Sequence, residues 1–156
     1  NTQCWTFVPG AGVIAIKPDL TRRCPVVDPD DHHLWISLGC AAENLAQAGL
    51  AHGLQAEFSF DPVEGVTRVQ LAPTSARRTT LFEAIPARQT CRADYDGRAV
   101  PPGDLALLEQ AGQGDGVAVS LITDPARRER LLELVVEGNS QQMQAPAFVR
   151  ELKQWV

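Results

Sequence analysis

A chain of 156 residues is long enough to bury one real core, and its 44% apolar and 21% charged content excludes a disordered, low-complexity polypeptide. A net charge of −5 supplies no global basic field for DNA or RNA, and no apolar run reaches the length of a membrane span. No signal peptide is visible and the chain does not open on Met, so it reads as an excerpt of a longer polypeptide in which absent targeting signals say little. The four cysteines, Cys4, Cys24, Cys40 and Cys91, form no C-x-x-C pair and match no zinc spacing. They read as scattered reduced thiols of a cytosolic protein.

Trp5-Thr6-Phe7-Val8 and Val13-Ile14-Ala15-Ile16 are two short strands joined by the turn Pro9-Gly10-Ala11-Gly12, a hairpin. Lys17 to Asp31 mixes Pro, Asp and Arg and reads as a loop. Asp30 or Asp31 is then placed to cap a helix in which Leu34, Leu38, Ala41, Leu45 and Ala48 recur at three- and four-residue steps, with Gly53 as its stop. Gly39, Cys40, Ala41 and Ala42 on that helix are small enough to admit another helix or a flat ring, although plain packing explains them equally. His32 and His33 lie among Asp28, Asp30 and Asp31, but adjacent helical residues diverge by about 100°, so they read as a solvated helix start and no metal ligand is assigned.

Gln55 to Phe60 and Val66 to Leu71 alternate on either side of Asp61-Pro62-Val63-Glu64-Gly65 and predict a second hairpin. A helix begins near Thr79 or Thr80 and meets Pro86; another opens at Pro101-Pro102-Gly103-Asp104 with Leu105, Leu108 and Ala111 on one face. Val117-Ala118-Val119-Ser120-Leu121-Ile122 is nearly continuous in apolar residues and predicts a central, covered strand. Asp124-Pro125 starts a helix carrying Leu131, Leu132, Val135 and Val136, Pro146 breaks it, and Phe148 to Val156 predicts a last one. Paired strands in the first half and helices in the second make an α+β layered domain of about five strands and five helices, with an antiparallel or mixed sheet and packed helices.

Arg88-Gln89-Thr90-Cys91-Arg92 is the most chemically loaded stretch. On a helical turn Arg88 and Arg92 would share one face, each guanidinium can fork onto a phosphate, and Thr90 adds a donor. That suits a phosphorylated cofactor. A solvated basic turn, or pairing of Arg88 and Arg92 with Asp94 and Asp96 in a cofactor-free module, fits the same residues.

Several segments in order resemble the FMN-dependent nitroreductase superfamily, and within it the single-chain, two-repeat Acg-like branch. Asn1-Thr2-Gln3-Cys4-Trp5 looks like the tail of the Pro-Ser-x-x-Asn-x-Gln-Pro-Trp motif. Asp28-Pro29 followed by Ile36 to Leu45, with Glu43-Asn44-Leu45 at its end, looks like the branch's helix. Arg88 to Arg92 looks like its Arg-Arg-Thr-Asn-Arg motif, followed by Tyr95-Asp96-Gly97-Arg98, and Phe148 to Trp155 has its Phe-x-x-Glu-Leu-x-x-Trp flavour.

The resemblance implies a nitroreductase-like α+β fold holding parts of two tandem repeats: residues 1–78 the later part of the first, residues 79–156 the earlier part of the second. It implies FMN as cofactor, NAD(P)H as electron donor and a small-molecule acceptor of the nitro or quinone type, in a cytoplasmic protein without nucleic-acid or membrane partners. The assembly implied is a homodimer, or an internal pseudo-dimer in a longer chain. Arg88 and Arg92 would hold the phosphate with Thr90 and Gln89 assisting, and Asn1 and Gln3 would approach the flavin. No acid, base or nucleophile is assigned, because the cofactor carries the chemistry. Cys4 stands where the family has Pro, Gln89 where it has Arg, and Cys91 where it has Asn. Those departures leave a flavin-binding or flavin-sequestering protein without turnover as the alternative.

Overall fold

A computed structural model describes residues 3–114 and 116–155. The chain divides into two compact units, Asn1–Gln89 with Ala147–Val156, and Thr90–Pro146. The first is built on β1 (Trp5–Gly10), β2 (Val13–Pro18), β3 (Leu54–Asp61) and β4 (Val66–Pro73), a four-stranded sheet of order β1-β2-β4-β3. Every pairing is antiparallel, so both expected hairpins form and β2 pairs with β4 to join them, placing Ile14 opposite Val69 and Ile16 opposite Thr67. Because side chains alternate, this register gathers Ile16, Val69 and Leu71 on one face and leaves Lys17, Arg68 and Gln70 on the other.

Helix α1 (His32–Ala51) packs on that apolar face against β2, β3 and β4. Leu34, Leu38 and Ala42 join Cys4, Ile16 and Val69 in the buried core, with Trp5, Trp35, Leu45, Ala56 and Leu71 around it. The helix starts differently from expectation. Asp31 occupies the cap position with φ 59° but makes no side-chain cap bond, because its carboxylate accepts Nε of Arg23 at 2.7 Å. Asp28 takes over, accepting the backbone N–H of His33 and Leu34 at 3.1 and 3.0 Å. Gly53, at φ 78°, ends the helix as its position implied.

The remaining helices are α2 (Thr80–Ala87), α3 (Pro102–Gly112), α4 (Pro125–Gln144) and α5 (Pro146–Trp155). The first three arise where capping residues and prolines placed them, and α5 starts at Pro146, two residues before the expected Phe148. The fold is α+β, with four strands in its sheet rather than five. Val117–Ile122 is no strand; only an isolated bridge between Gly114 and Val117 forms there. An apolar run becomes a strand only when a partner strand hydrogen-bonds to it, and among the described residues no strand pairs with this run. None of the described residues of Thr90–Pro146 is buried, so Val117 stays 59% exposed rather than covered.

Candidate functional site

The arginine segment is launched by α2, and α2 is held by its own N-terminus. Thr79 caps it: the Thr79 hydroxyl accepts the N–H of Phe82 at 3.0 Å and donates to the side-chain oxygen of Gln47 on α1 at 2.7 Å. Arg78 pairs with Glu83 at 2.6 Å and lies 5.1 Å from the centre of the Phe82 ring, while Arg77 donates its N–H to Leu50 at 2.9 Å. These contacts fix the helix that delivers Arg88.

The helix then stops. Pro86 offers no N–H, so one carbonyl of the preceding turn goes without its helical donor. Arg88 closes α2 with an extended backbone, φ −66° and ψ 130°, its N–H bonded to Ala84 at 2.8 Å. Gln89, Thr90, Cys91 and Arg92 are exposed and lie in no helix. The shared helical face expected of Arg88 and Arg92 is therefore absent. The physical reason is that residues 88–101 bring only Tyr95 and Val100 as large apolar side chains, too little to dock a helix. The boundary between the compact units falls between Gln89 and Thr90.

The two guanidiniums are nevertheless chemically available. Among the described residues neither Arg88 nor Arg92 makes an ion pair or a side-chain hydrogen bond. Asp96 is engaged instead by Arg98, whose N–H and guanidinium both bond its carboxylate and, with the backbone bond the larger cause, hold its pKa below the ordinary value. Thr90, between them in sequence, makes no side-chain hydrogen bond among the described residues. Exposed fork donors without anionic partners can accept a phosphate, which leaves water only for charge-assisted bonds. Gln3 is exposed and its side-chain amide donates to the carbonyl of Trp5 at 3.0 Å; Asn1 lies outside the described residues.

The small residues of α1 do not act together. Ala41 and Ala42 are buried in packing, whereas Gly39 and Cys40 are exposed and a side chain at Gly39 would meet nothing within 4 Å. His32 and His33 are exposed with ring centres 5.5 Å apart, and no cluster of three or more metal-ligating side chains occurs among the described residues. All four cysteines are free; burial, then the charges of Glu151 and Asp28, push the Cys24 thiol up, which disfavours it as a nucleophile. Among the described residues, no helix is long and apolar enough to cross a membrane.

The residue that sequence reading missed is Glu151. It is 7% exposed, and its two carboxylate oxygens accept the N–H groups of Val26 and Val27 at 3.0 and 2.9 Å. A carboxylate on an otherwise amphipathic helix carries no periodic sign that it faces inward. Beside it, Cys24, Val27, Phe148, Leu152 and Trp155 line an apolar cavity of about 250 Å³.

No family model matches the chain. Two curated proteins from strains of Mycobacterium tuberculosis, named "Putative NAD(P)H nitroreductase MT3217" and "Putative NAD(P)H nitroreductase Rv3131", are each 27% identical to it over 164 residues. The match takes in 99% of this chain and 46% of each relative, so the chain spans about half the length of the curated relatives it matches. Along almost its whole length, then, the chain is similar to proteins bearing the name NAD(P)H nitroreductase.

Proposed function

We propose that this chain is part of a cytoplasmic FMN-dependent oxidoreductase that uses NAD(P)H to reduce a nitro or quinone-type acceptor. The observation that carries the reading is the pair Arg88 and Arg92, exposed and without an anion among the described residues, at the place in the chain where the family resemblance puts the cofactor phosphate. The similarity to two proteins named NAD(P)H nitroreductases supports it. In this reading residues 1–78 and 79–156 are portions of two repeats, and the cofactor lies at a homodimer or internal pseudo-dimer seam.

Arg88 and Arg92 bind and orient the phosphate, with Thr90 donating its hydroxyl and Gln89 its carboxamide. Asn1 and Gln3 serve the ring side. FMN held there would supply ping-pong two-electron chemistry between NAD(P)H and the acceptor. The protein's part is charge: two guanidinium forks would favour the anionic phosphate through charge-assisted hydrogen bonds.

The test is the absorbance of the purified full-length protein between the near-ultraviolet and blue, followed by addition of NADPH without oxygen. Flavin bands that bleach establish the oxidoreductase. Bands that persist establish the alternative, a flavin-sequestering protein, and absence of flavin after reconstitution with FMN overturns both.

A further inference from the structure

A cleft of about 510 Å³ opens within the first compact unit between the segment around Thr21–Val26 and helix α5. Its walls include Thr21, Arg23, Val26, Arg150, Glu151 and Gln154. None of these belongs to the Arg88–Arg92 segment. Three features of the walls point to a ligand.

Arg150 is exposed and makes no ion pair or hydrogen bond among the described residues. Arg23 is held through Nε alone, at 2.7 Å from Asp31, which leaves its two terminal amino groups without a hydrogen bond among the described residues. Glu151, the acid in the wall, has both oxygens occupied by the N–H groups of Val26 and Val27. That last contact also locks α5 to the opposite wall, so the two guanidiniums are presented from elements already fixed to each other. Binding there loses little further conformational freedom.

We propose that this cleft binds the phosphate group of a small phosphorylated molecule, with Arg150 and the terminal amino groups of Arg23 as donors. A planar guanidinium fork matches two oxygens of a tetrahedral anion, and two forks lining one cleft would match a phosphate or diphosphate better than a monovalent ion. The Gln154 carboxamide adds a neutral donor. The cleft is large enough for the phosphate together with part of the group it esterifies.

The experiment is calorimetric titration of the full-length protein with pyrophosphate and, separately, with inorganic phosphate, against chloride at matched ionic strength. Saturable binding of the phosphates is expected, weakened about tenfold in Arg150→Gln. Arg150→Lys keeps the charge but loses the fork and should fall between. Because Arg150 is exposed and unpaired, thermal midpoints of both variants without ligand should match the parent, which separates lost binding from lost folding. Binding that chloride reproduces, or that Arg150→Gln leaves undiminished, overturns the proposal. So does a loss of phosphate affinity in an Arg88→Ala, Arg92→Ala variant that Arg150→Gln does not share, since the phosphate would then belong to the other arginine pair. Flavin content, read separately by absorbance, decides the oxidoreductase reading independently.

Discussion

The Glu151 carboxylate accepts the backbone N–H of Val27 at 2.9 Å across 124 residues of sequence, and its second oxygen takes Val26 at 3.0 Å. A carboxylate only 7% exposed, satisfied by two amide donors, joins the last helix to the loop before α1. Removing it strands both donors. Glu151→Ala should cost about 2–4 kcal/mol, on the scale of two charge-assisted hydrogen bonds less the relief of an uncovered charge. Urea unfolding measures the loss. Hydrogen exchange at Val26 and Val27 should accelerate together, whereas exchange in the β2–β4 ladder should follow only the global change. Glu151→Gln presents an NH₂ group to one of the two donors and should recover only part of the loss.

Asp28 makes the start of α1 sensitive to acid. Burial alone would raise its pKa, but the N–H groups of His33 and Leu34, together with the charges of the two histidines, outweigh it and hold the carboxyl below its ordinary value of 3.8. A depressed folded-state pKa means that the contribution is fully present above 3.8 and is lost as pH falls through the lower folded-state value. Thermal midpoints of the parent should therefore drop steeply below that pH. Asp28→Asn, which cannot ionise, should be less stable at neutral pH and show a shallower acid limb; an unchanged limb would remove Asp28 from the account.

Gly65 closes the β3–β4 turn at φ 63°, and a Cβ built there would lie 2.9 Å from Cη2 of Trp35. The left-handed backbone alone costs a substituted residue about 1–2 kcal/mol. The clash adds to this, because Trp35 is itself packed edge-on against Phe60 at 5.8 Å. Gly65→Ala should lower the unfolding free energy read from urea denaturation by at least that amount and alter tryptophan emission. Val63→Ala in the same turn, at a side chain 94% exposed, should change neither.

The elements that were legible share a property: their signal is local. Alternation around Asp61–Gly65 sets a hairpin, Thr79 sets a cap, and Pro125 and Pro146 set helix starts, each within a few residues. What was illegible depends on distant partners. Val117–Ile122 has a strand's composition but, among the described residues, pairs with no strand, so its amides from Ala118 to Ile122 should exchange freely. Asp31 looked like the cap, yet Arg23, eight residues earlier, claims it and Asp28 substitutes. Glu151 and the cleft beside it require α5 to return to the first unit, which no local pattern announces. At the arginine segment, a shared face for Arg88 and Arg92 required a helical turn, and residues 88–101 bring too few apolar side chains to dock one.

The consequence of that non-helical arginine segment is a test of how Arg88 and Arg92 act. On a rigid helical face the two would form one preorganised site, and losing either would abolish binding. On the open segment each guanidinium would reach a phosphate separately under the proposed function, so the losses should be graded. Arg88 is the better anchored, its backbone bonded to Ala84 at the end of a capped helix, whereas Arg92 lies four residues further along a segment without helix or strand. Arg88→Ala should weaken FMN retention by about tenfold or more, the scale of one charge-assisted hydrogen bond, and Arg92→Ala by less. The double variant should approach the product of the two. Equilibrium dialysis with FMN and with riboflavin measures this directly, since riboflavin lacks the phosphate and its affinity should be the same in all four proteins. Equal losses for both flavins would place the arginines away from the phosphate, and unchanged FMN retention in the double variant would remove them from the site.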